Sequence, residues 1–328
     1  MKKWKFLFYG FRHGHIYSMY HLVEASDRAQ IVACIEPDEA ARAEAEQKTG
    51  RKFSDIPYEQ WLQEDVDVVA IGDVYGLRGE DILRALKAGK HVIADKPLCT
   101  SLEQWEQIRS LSAEKDLKIG CMLDLRDIPQ VQTAKAVLDS GRLGKVRNIS
   151  FNGQHCLNYG QRPMWYFAPG MHGGTINDLA IHGIDLVRLL TGQEFAGFDA
   201  ARVWNAYATQ EPHFKDCATF MARLEDGTGV MADVSYSAPY ADPMLPFYWE
   251  FRFWCEQGVL VFSYAKPDVV IYEKGDPQPV VLQKTDVRSS YLDAFLTELD
   301  SNTRCVTEDV LRSTKTALQL QALADKER

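Results

Sequence analysis

Lys96 closes the short apolar run Val92–Ala94 and is followed at once by Pro97. A buried parallel strand rarely ends on an ammonium group, because the charge is costly to desolvate, and proline donates nothing to a ladder. At the carboxyl end of a strand in an open α/β sheet, however, ligands bind, and an ammonium there can polarise a hydroxyl or carbonyl oxygen. A second place with chemical potential is the stretch from Gly173 to Asp185, in which Asp178, His182 and Asp185 follow i, i+4, i+7 spacing. A regular helix puts such residues on one face. Histidine carries protons near neutral pH, and a neighbouring carboxylate can hold its tautomer. The plainer reading remains open for each: Asp178 could only favour a helix N-terminus, and His182 could be a satisfied buried histidine.

Elements that would position these groups alternate over the first 120 or so residues. Apolar runs at Phe6–Tyr9, Ile31–Ile35, Val66–Ile71, Val92–Ala94 and Leu117–Met122 are separated by helical stretches at Glu39–Lys48, Asp81–Ala88 and Leu102–Lys115. That rhythm predicts βαβ units and a doubly wound parallel sheet. A helix over Pro129–Ser140 opens the second part. Beyond about residue 145 come strand-like runs at Val146–Gly153, Ala200–Ala208, Ala218–Leu224, Gly229–Ser235, Phe247–Trp254, Gly258–Phe262 and Val269–Tyr272. Turn signals between them predict a large, mostly antiparallel sheet, with helices at Thr175–Leu190, Tyr291–Asp300 and Thr307–Lys326 on one face. The expected domains are 1–122 and 123–328.

With 328 residues and 46% hydrophobic content, the chain can bury the cores of two ordinary soluble domains. A formal net charge of -9 argues against nucleic acid or an anionic membrane as the main partner. No apolar stretch reaches the ~20 residues of a membrane span. Met1-Lys2-Lys3 begins like a signal peptide, but the apolar run after it is too short and lacks a cleavage site, so a first strand is expected. Seven scattered cysteines without Cys-x-x-Cys spacing suit a reducing cytoplasm, with neither a disulfide frame nor a zinc site.

The first strand leads into Gly10-Phe11-Arg12-His13-Gly14-His15. A dinucleotide site needs glycines there so that the backbone can approach the pyrophosphate at a helix N-terminus. Against G-x-G-x-x-G, Gly10 fits, whereas Arg12 and His15 replace the second and third glycines, so the loop alone is a weak match. Glu36 ends the second strand, where a carboxylate can accept ribose hydroxyls and repel a 2′-phosphate, which favours NAD; a solvated strand end is the alternative reading. Arg12 keeps NADP open, since a guanidinium can grip either the pyrophosphate or a 2′-phosphate. His13, His15 and His21 have no nearby carboxylate or cysteine pattern, so no metal is expected.

The chain resembles the glucose–fructose oxidoreductase, inositol dehydrogenase and MocA (Gfo/Idh/MocA) family in Ala88–Pro97, in Arg126 to Pro129, in Gly141–Val146 and in Gly173–Asp185. The resemblance implies a Rossmann domain followed by an α+β domain whose open sheet joins subunits, hence a homo-oligomer, dimer or tetramer. It implies an oxidoreductase acting on a carbinol of a sugar, polyol or related small molecule. Lys96 looks like the family lysine that bonds the reacting hydroxyl, Asp178 like the substrate-binding aspartate and His182 like the acid/base. Cofactor contacts map to Gly10, Phe11, Arg12, His13, Gly14, His15 and Glu36, to the fourth-strand end near Asp73, and to Asp95 and Lys96. Arg126, Trp165, Tyr166 and His172 are further pocket candidates, each with a structural reading beside it. The chain departs from the family at Asp95, usually glutamate; at Arg78-Gly79, where a histidine is missing; at Asp124, in place of Asn or Tyr; and in the glycine loop. Two other functions share these features: an NAD-dependent redox-assisted glycoside hydrolase, and a non-catalytic regulator that binds dinucleotide and sugar.

Overall fold

A computed structural model describes residues 3–240, 245–283 and 289–326; Met1 and Lys2 of the N-terminal reading lie outside them. The chain forms two compact units. In the first, β1 (Trp4–Phe11), β2 (Ala29–Ile35), β3 (Val68–Gly72), β4 (His91–Ala94) and β5 (Ile119–Cys121) make one parallel sheet in the order β2-β1-β3-β4-β5. Every residue of β3 is buried, as expected for a strand covered on both faces. The connecting helices are α1 (His15–Ala25), α2 (Glu39–Thr49), the short α3 (Tyr58–Trp61), α4 (Tyr75–Lys87) and α5 (Leu102–Glu114). Asp38 caps α2 through the Ala41 amide at 2.9 Å, and Ser101 caps α5 through that of Gln104 at 3.2 Å. The strand order reverses direction between β1 and β3, and the carboxyl ends of those two strands form the crevice typical of ligand sites in such sheets.

Helix α4 starts at Tyr75, six positions before the Asp81 expected from periodicity. Gly76 and Gly79 lower the local helix propensity and hide the true start. Both serve close packing: a Cβ on Gly76 would lie 2.4 Å from the Gly170 carbonyl oxygen, and one on Gly79 2.6 Å from Gln104 Oε1.

The second unit contains α6 (Pro129–Asp139), a mixed helix over 176–191 and an eight-stranded sheet. Its strands are β6 (Val146–Gln154), β7 (Phe195–Trp204), β8 (Cys217–Leu224), β9 (Gly229–Ser235), β10 (Glu250–Cys255), β11 (Gly258–Ser263), β12 (Val269–Glu273) and β13 (Val280–Leu282), a strand the sequence patterns miss. The order is β13-β12-β11-β10-β6-β9-β8-β7, antiparallel except for the β6–β9 pair. Helices α6 and α7 (Ile181–Thr191) cover one face. The other face exposes Met221, Met231, Trp254, Tyr272 and Val281.

The second domain is not continuous from 123 to 328. Residues 170–173 and 291–315 belong to the first unit. Helix α8 (Tyr291–Ser301) buries Leu292, Phe295 and Leu296 in the core formed with Phe6, Phe8 and Ile93, and α9 (Cys305–Ala324) begins at β5, where Thr307 Oγ1 accepts the Ile119 amide at 2.9 Å. Periodicity marks both stretches as helices, but the choice of sheet depends on which apolar surface is left uncovered.

Candidate active site

Gly10 has φ 77°, and a Cβ there would sit 2.6 Å from the Asp73 backbone nitrogen, so the chain can turn beside Asp73 only with glycine. The ladder skips Gly10 and pairs Phe11 with Gly72, whose carbonyl accepts the Arg12 and His13 amides at 3.2 and 3.3 Å. Asp73 follows β3, not the fourth strand; it is buried, and its Oδ1 accepts the Val74 amide at 2.6 Å. Close helix–strand contact, the role of a third glycine in the dinucleotide pattern, falls to Gly72: a Cβ there would meet Ile16 of α1 at 2.6 Å. A Cβ on Gly14 would meet nothing within 4 Å, and α1 begins behind it with no side-chain cap and no acid in its first turn. An uncapped helix start beside open space suits an anionic group.

Glu36 is buried, and its carboxylate accepts the Phe11 amide at 2.5 Å and the Asp38 amide at 2.8 Å. Burial raises its pKa, against the pull of those two amides. Its demonstrable work is therefore to tie the loop to the end of β2. Arg12 lies 3.5 Å from Asp38, a carboxylate that motif reading passed over.

The Asp95-Lys96-Pro97 corner is built around Arg78, a residue the sequence reading treated only as a departure. Arg78 is 0% exposed and donates to the carbonyls of Asp95 (2.9 Å), Pro97 (2.8 Å) and Asp73 (2.8 Å). Its guanidinium also lies 3.7 Å from the Asp95 carboxylate and 4.8 Å from the centre of the Tyr75 ring. Lys96 follows at 3% exposure, joined to Pro97 by a cis peptide. Burial opposes the charge on Asp95, but the His13 imidazole and the Arg78 guanidinium overcome it and hold the carboxyl well below its usual range. His13 Nδ1 sits 2.5 Å from Asp95 Oδ2, and His15 Nδ1 sits 3.4 Å from Oδ1. Burial, partly offset by Asp95, brings the His13 imidazole down to about 4. The third histidine, His21, is exposed and paired with Glu24 at 3.6 Å. The expectation of no metal rested on a missing carboxylate or cysteine pattern and on the loop's use for phosphate; the fold supplies a carboxylate, Asp95, from just beyond β4, far away in sequence.

In the second unit the segment 176–180 is a π turn that runs into α7. The Asp178, His182 and Asp185 side chains do not share a single set of partners. Asp178 is 0% exposed, and its Oδ2 accepts the hydroxyls of Tyr166 (2.7 Å) and Tyr236. His182 packs edge-on to Trp249, with ring centres 5.6 Å apart, and its Nδ1 is 4.0 Å from Asp124. Asp185 takes both arms of Arg126. The 3₁₀ turn Asp124–Asp127 thus faces His182 and Asp185, while Asp178 points to the tyrosines. A π turn inserts an extra residue, so the spacing rule for a regular helix fails here; such turns are common at functional sites. Gly183 admits the Phe151 ring, which lies 2.1 Å from where a Cβ would be, and this close contact seats α7 on β6.

The further pocket candidates sort differently. Arg126 is engaged by Asp185, and Tyr166 is buried as an Asp178 partner. Trp165 is half-buried beside Tyr166, with ring centres 5.1 Å apart. His172 belongs to the first unit, 5.9 Å from Tyr75 between ring centres, on the segment whose Met171 carbonyl accepts the Gly76 amide at 2.9 Å.

Residues 5–122 match the oxidoreductase family with an NAD-binding Rossmann fold, and residues 131–261 match the GFO/IDH/MocA C-terminal domain. The chain belongs to the GFO/IDH/MocA oxidoreductase family. It is 27% identical over 206 residues to levoglucosan dehydrogenase of Pseudarthrobacter phenanthrenivorans, covering 61% of this chain and 51% of that protein. It is 26% identical over 228 residues to scyllo-inositol 2-dehydrogenase (NAD(+)) of Bacillus subtilis, covering 68% and 65%. The matches thus span about half to two thirds of these relatives' lengths. Myo-inositol 2-dehydrogenase from Lactobacillus plantarum shares the fold, with a TM-score of 0.78 and 18% identity over 99% of this chain and 98% of that one. The GFO/IDH/MocA Rossmann domain binds NAD, and the residues at the β1–β3 crevice fit it: a glycine turn, an uncapped helix start and open space at Gly14. No helix among the described residues is long and apolar enough to cross a membrane.

Proposed function

We propose that this protein is an NAD-dependent dehydrogenase that oxidises a carbinol of a sugar, polyol or related small molecule. What supports this reading most is Lys96: a nearly buried ammonium at the end of β4, held by the Arg78-bonded corner in a domain of NAD-binding type. The relatives named for levoglucosan and scyllo-inositol oxidation support the substrate class. Bound NAD supplies the hydride acceptor. Lys96 donates a charge-assisted hydrogen bond to the substrate oxygen and stabilises the alkoxide as it develops. His182 takes the hydroxyl proton on an imidazole nitrogen, leaving the ketone. Asp178 takes a positioning role: its carboxylate is wholly buried and holds Tyr166 and Tyr236, so we assign substrate contact to neighbouring groups, with Trp165 a stacking wall for a sugar ring.

A thermal-shift screen of NAD(H) and NADP(H), followed by polyols and aldoses with the stabilising cofactor, tests the reading, because ligands that bind only the native state raise its Tm. Stabilisation by NAD(H) and net NADH formation with a polyol or aldose are expected. Sugar release without NADH would replace the dehydrogenase with a redox-assisted hydrolase, and ligand binding without turnover would replace it with a regulator.

The working unit in this proposal is a homo-oligomer joined through the open sheet face. The supporting feature is a depression of about 580 Å³ on the side that α6 and α7 leave bare, in which Trp254, Val261 and Tyr272 lie among the charged Glu250, Arg252 and Asp268. Apolar side chains interspersed with charges of both signs on a regular sheet suit a self-complementary twofold contact. Trp254→Glu is expected to halve or quarter the mass measured by light scattering; a monomeric parent protein would refute the assignment. All seven cysteines are free thiols, which supports a reducing, cytoplasmic setting.

A further inference from the structure

The loop at the head of α1 holds more donor chemistry than a pyrophosphate needs. His13 Nδ1, His15 Nδ1 and an Asp95 carboxylate oxygen all lie within 4.8 Å of one another, with the two imidazole centres 4.4 Å apart. Asp95 is 0% exposed. Two buried atoms at this spot, His15 Nδ1 and Asp95 Oδ1, have no hydrogen-bond partner, although they face each other at 3.4 Å. Leaving buried polar atoms unsatisfied costs about 1–3 kcal/mol each, and native structures that do so usually hold an ion or water there.

We infer that His13, His15 and Asp95 form a binding site for one divalent transition-metal ion of the Zn²⁺ type. Two imidazoles and one carboxylate are a donor set for Zn²⁺, Fe²⁺ or Ni²⁺; Mg²⁺ and Ca²⁺ prefer oxygen ligands. Tetrahedral Zn²⁺ requires donor atoms about 3.3 Å apart. The 3.4 Å between His15 Nδ1 and Asp95 Oδ1 matches that spacing, whereas His13 Nδ1, hydrogen-bonded to Oδ2 at 2.5 Å, exchanges that bond for the ion. Arg78 supplies the outer support: it holds the Asp95 carbonyl at 2.9 Å and approaches Oδ2 at 3.7 Å, leaving Oδ1 for the ion. The ion adds two positive charges to a site where Arg78 already balances Asp95, so its open position selects water or an anionic oxygen. None of this depends on the redox reading, because the ligands and the test concern the ion alone.

The intact chain, stripped with EDTA and dialysed, is titrated with Zn²⁺ by calorimetry and with Co²⁺ by visible absorption. One equivalent is expected to bind, with cobalt absorption in the range of low-coordinate nitrogen and oxygen sites. His15→Ala should weaken Zn²⁺ binding at least about tenfold. His21→Ala should leave it unchanged. A second measurement needs no variant: diethylpyrocarbonate labelling read by mass spectrometry should show Zn²⁺ protecting His13 and His15 but not His21. The inference is overturned if the parent protein takes up no Zn²⁺, if His15→Ala binds as tightly, or if the ion leaves labelling at His13 and His15 unchanged.

Discussion

Lys96→Ala is expected to keep NAD binding and to lose at least about 10²–10³-fold in kcat, the usual effect of removing a donor aimed at a developing oxyanion. The ammonium adds little to the ground state, because a neutral hydroxyl gains less than an alkoxide from a positive neighbour, so the loss should appear in kcat more than in KM. Steady-state NADH formation and an NAD Kd from fluorescence give both quantities, and a thermal melt shows that the variant folds despite a truncation at 3% exposure. His182→Gln, which cannot take a proton, should act in the same direction and flatten the pH profile. Full activity in Lys96→Ala would remove the redox assignment. Lost NAD binding with unchanged kcat at saturation would move the lysine into cofactor binding alone.

Arg78→Leu is expected to cost about 3–5 kcal/mol of unfolding free energy at neutral pH, measured by urea denaturation. The substitution leaves the Asp95 carboxylate, 0% exposed, with only the His13 and His15 imidazoles beside it and removes the donors to the Asp95, Pro97 and Asp73 carbonyls. Arg78→Lys should recover part of the loss, since an ammonium restores the charge but cannot reach three diverging carbonyls as a planar guanidinium does. The pH dependence identifies the partner. In the parent protein the folded pKa of Asp95 is depressed, so its contribution is present above the unfolded value near 3.9 and fades only as pH falls through the lower folded one. Without Arg78 that pKa rises, because one of its lowering neighbours is gone, and acid neutralises the less compensated carboxylate. The stability gap between parent and variant should therefore narrow on acidification. A gap of constant size at every pH would mean that the guanidinium serves the backbone carbonyls and not Asp95.

Several parts of the site were legible from local chemistry. Lys96 stood out because an ammonium at a strand end has no packing explanation, and Gly10 because a dinucleotide loop must turn tightly after its strand, which it does here with φ 77°. The roles of Glu36 and Asp178 were less legible. A carboxylate at the end of β2 reads as a ribose acceptor; the fold adds that Glu36 takes the Phe11 amide at the end of β1 and the Asp38 amide two positions on. A helical stripe reads as one face, yet a π turn separates Asp178 from the side that meets the turn at Asp124–Asp127. Asp124, near His182 at 4.0 Å, carried a sequence signal only as a departure from the family pattern. Arg78 carried even less, because two glycines masked the start of its helix.

Periodicity, strand-end chemistry and turn residues act within a few positions of one another, so the chain alone determined the parallel sheet, the later antiparallel one and the lysine at the end of β4. Contacts between distant segments were decided only by tertiary structure: Asp95 meeting His13 and His15, Arg126 meeting Asp185, two tyrosines meeting Asp178, and α8 returning to the first sheet. The reason is energetic. A buried charge or apolar face must find a partner to offset its desolvation or exposure, and which partner it finds depends on which surfaces the folded backbone brings together.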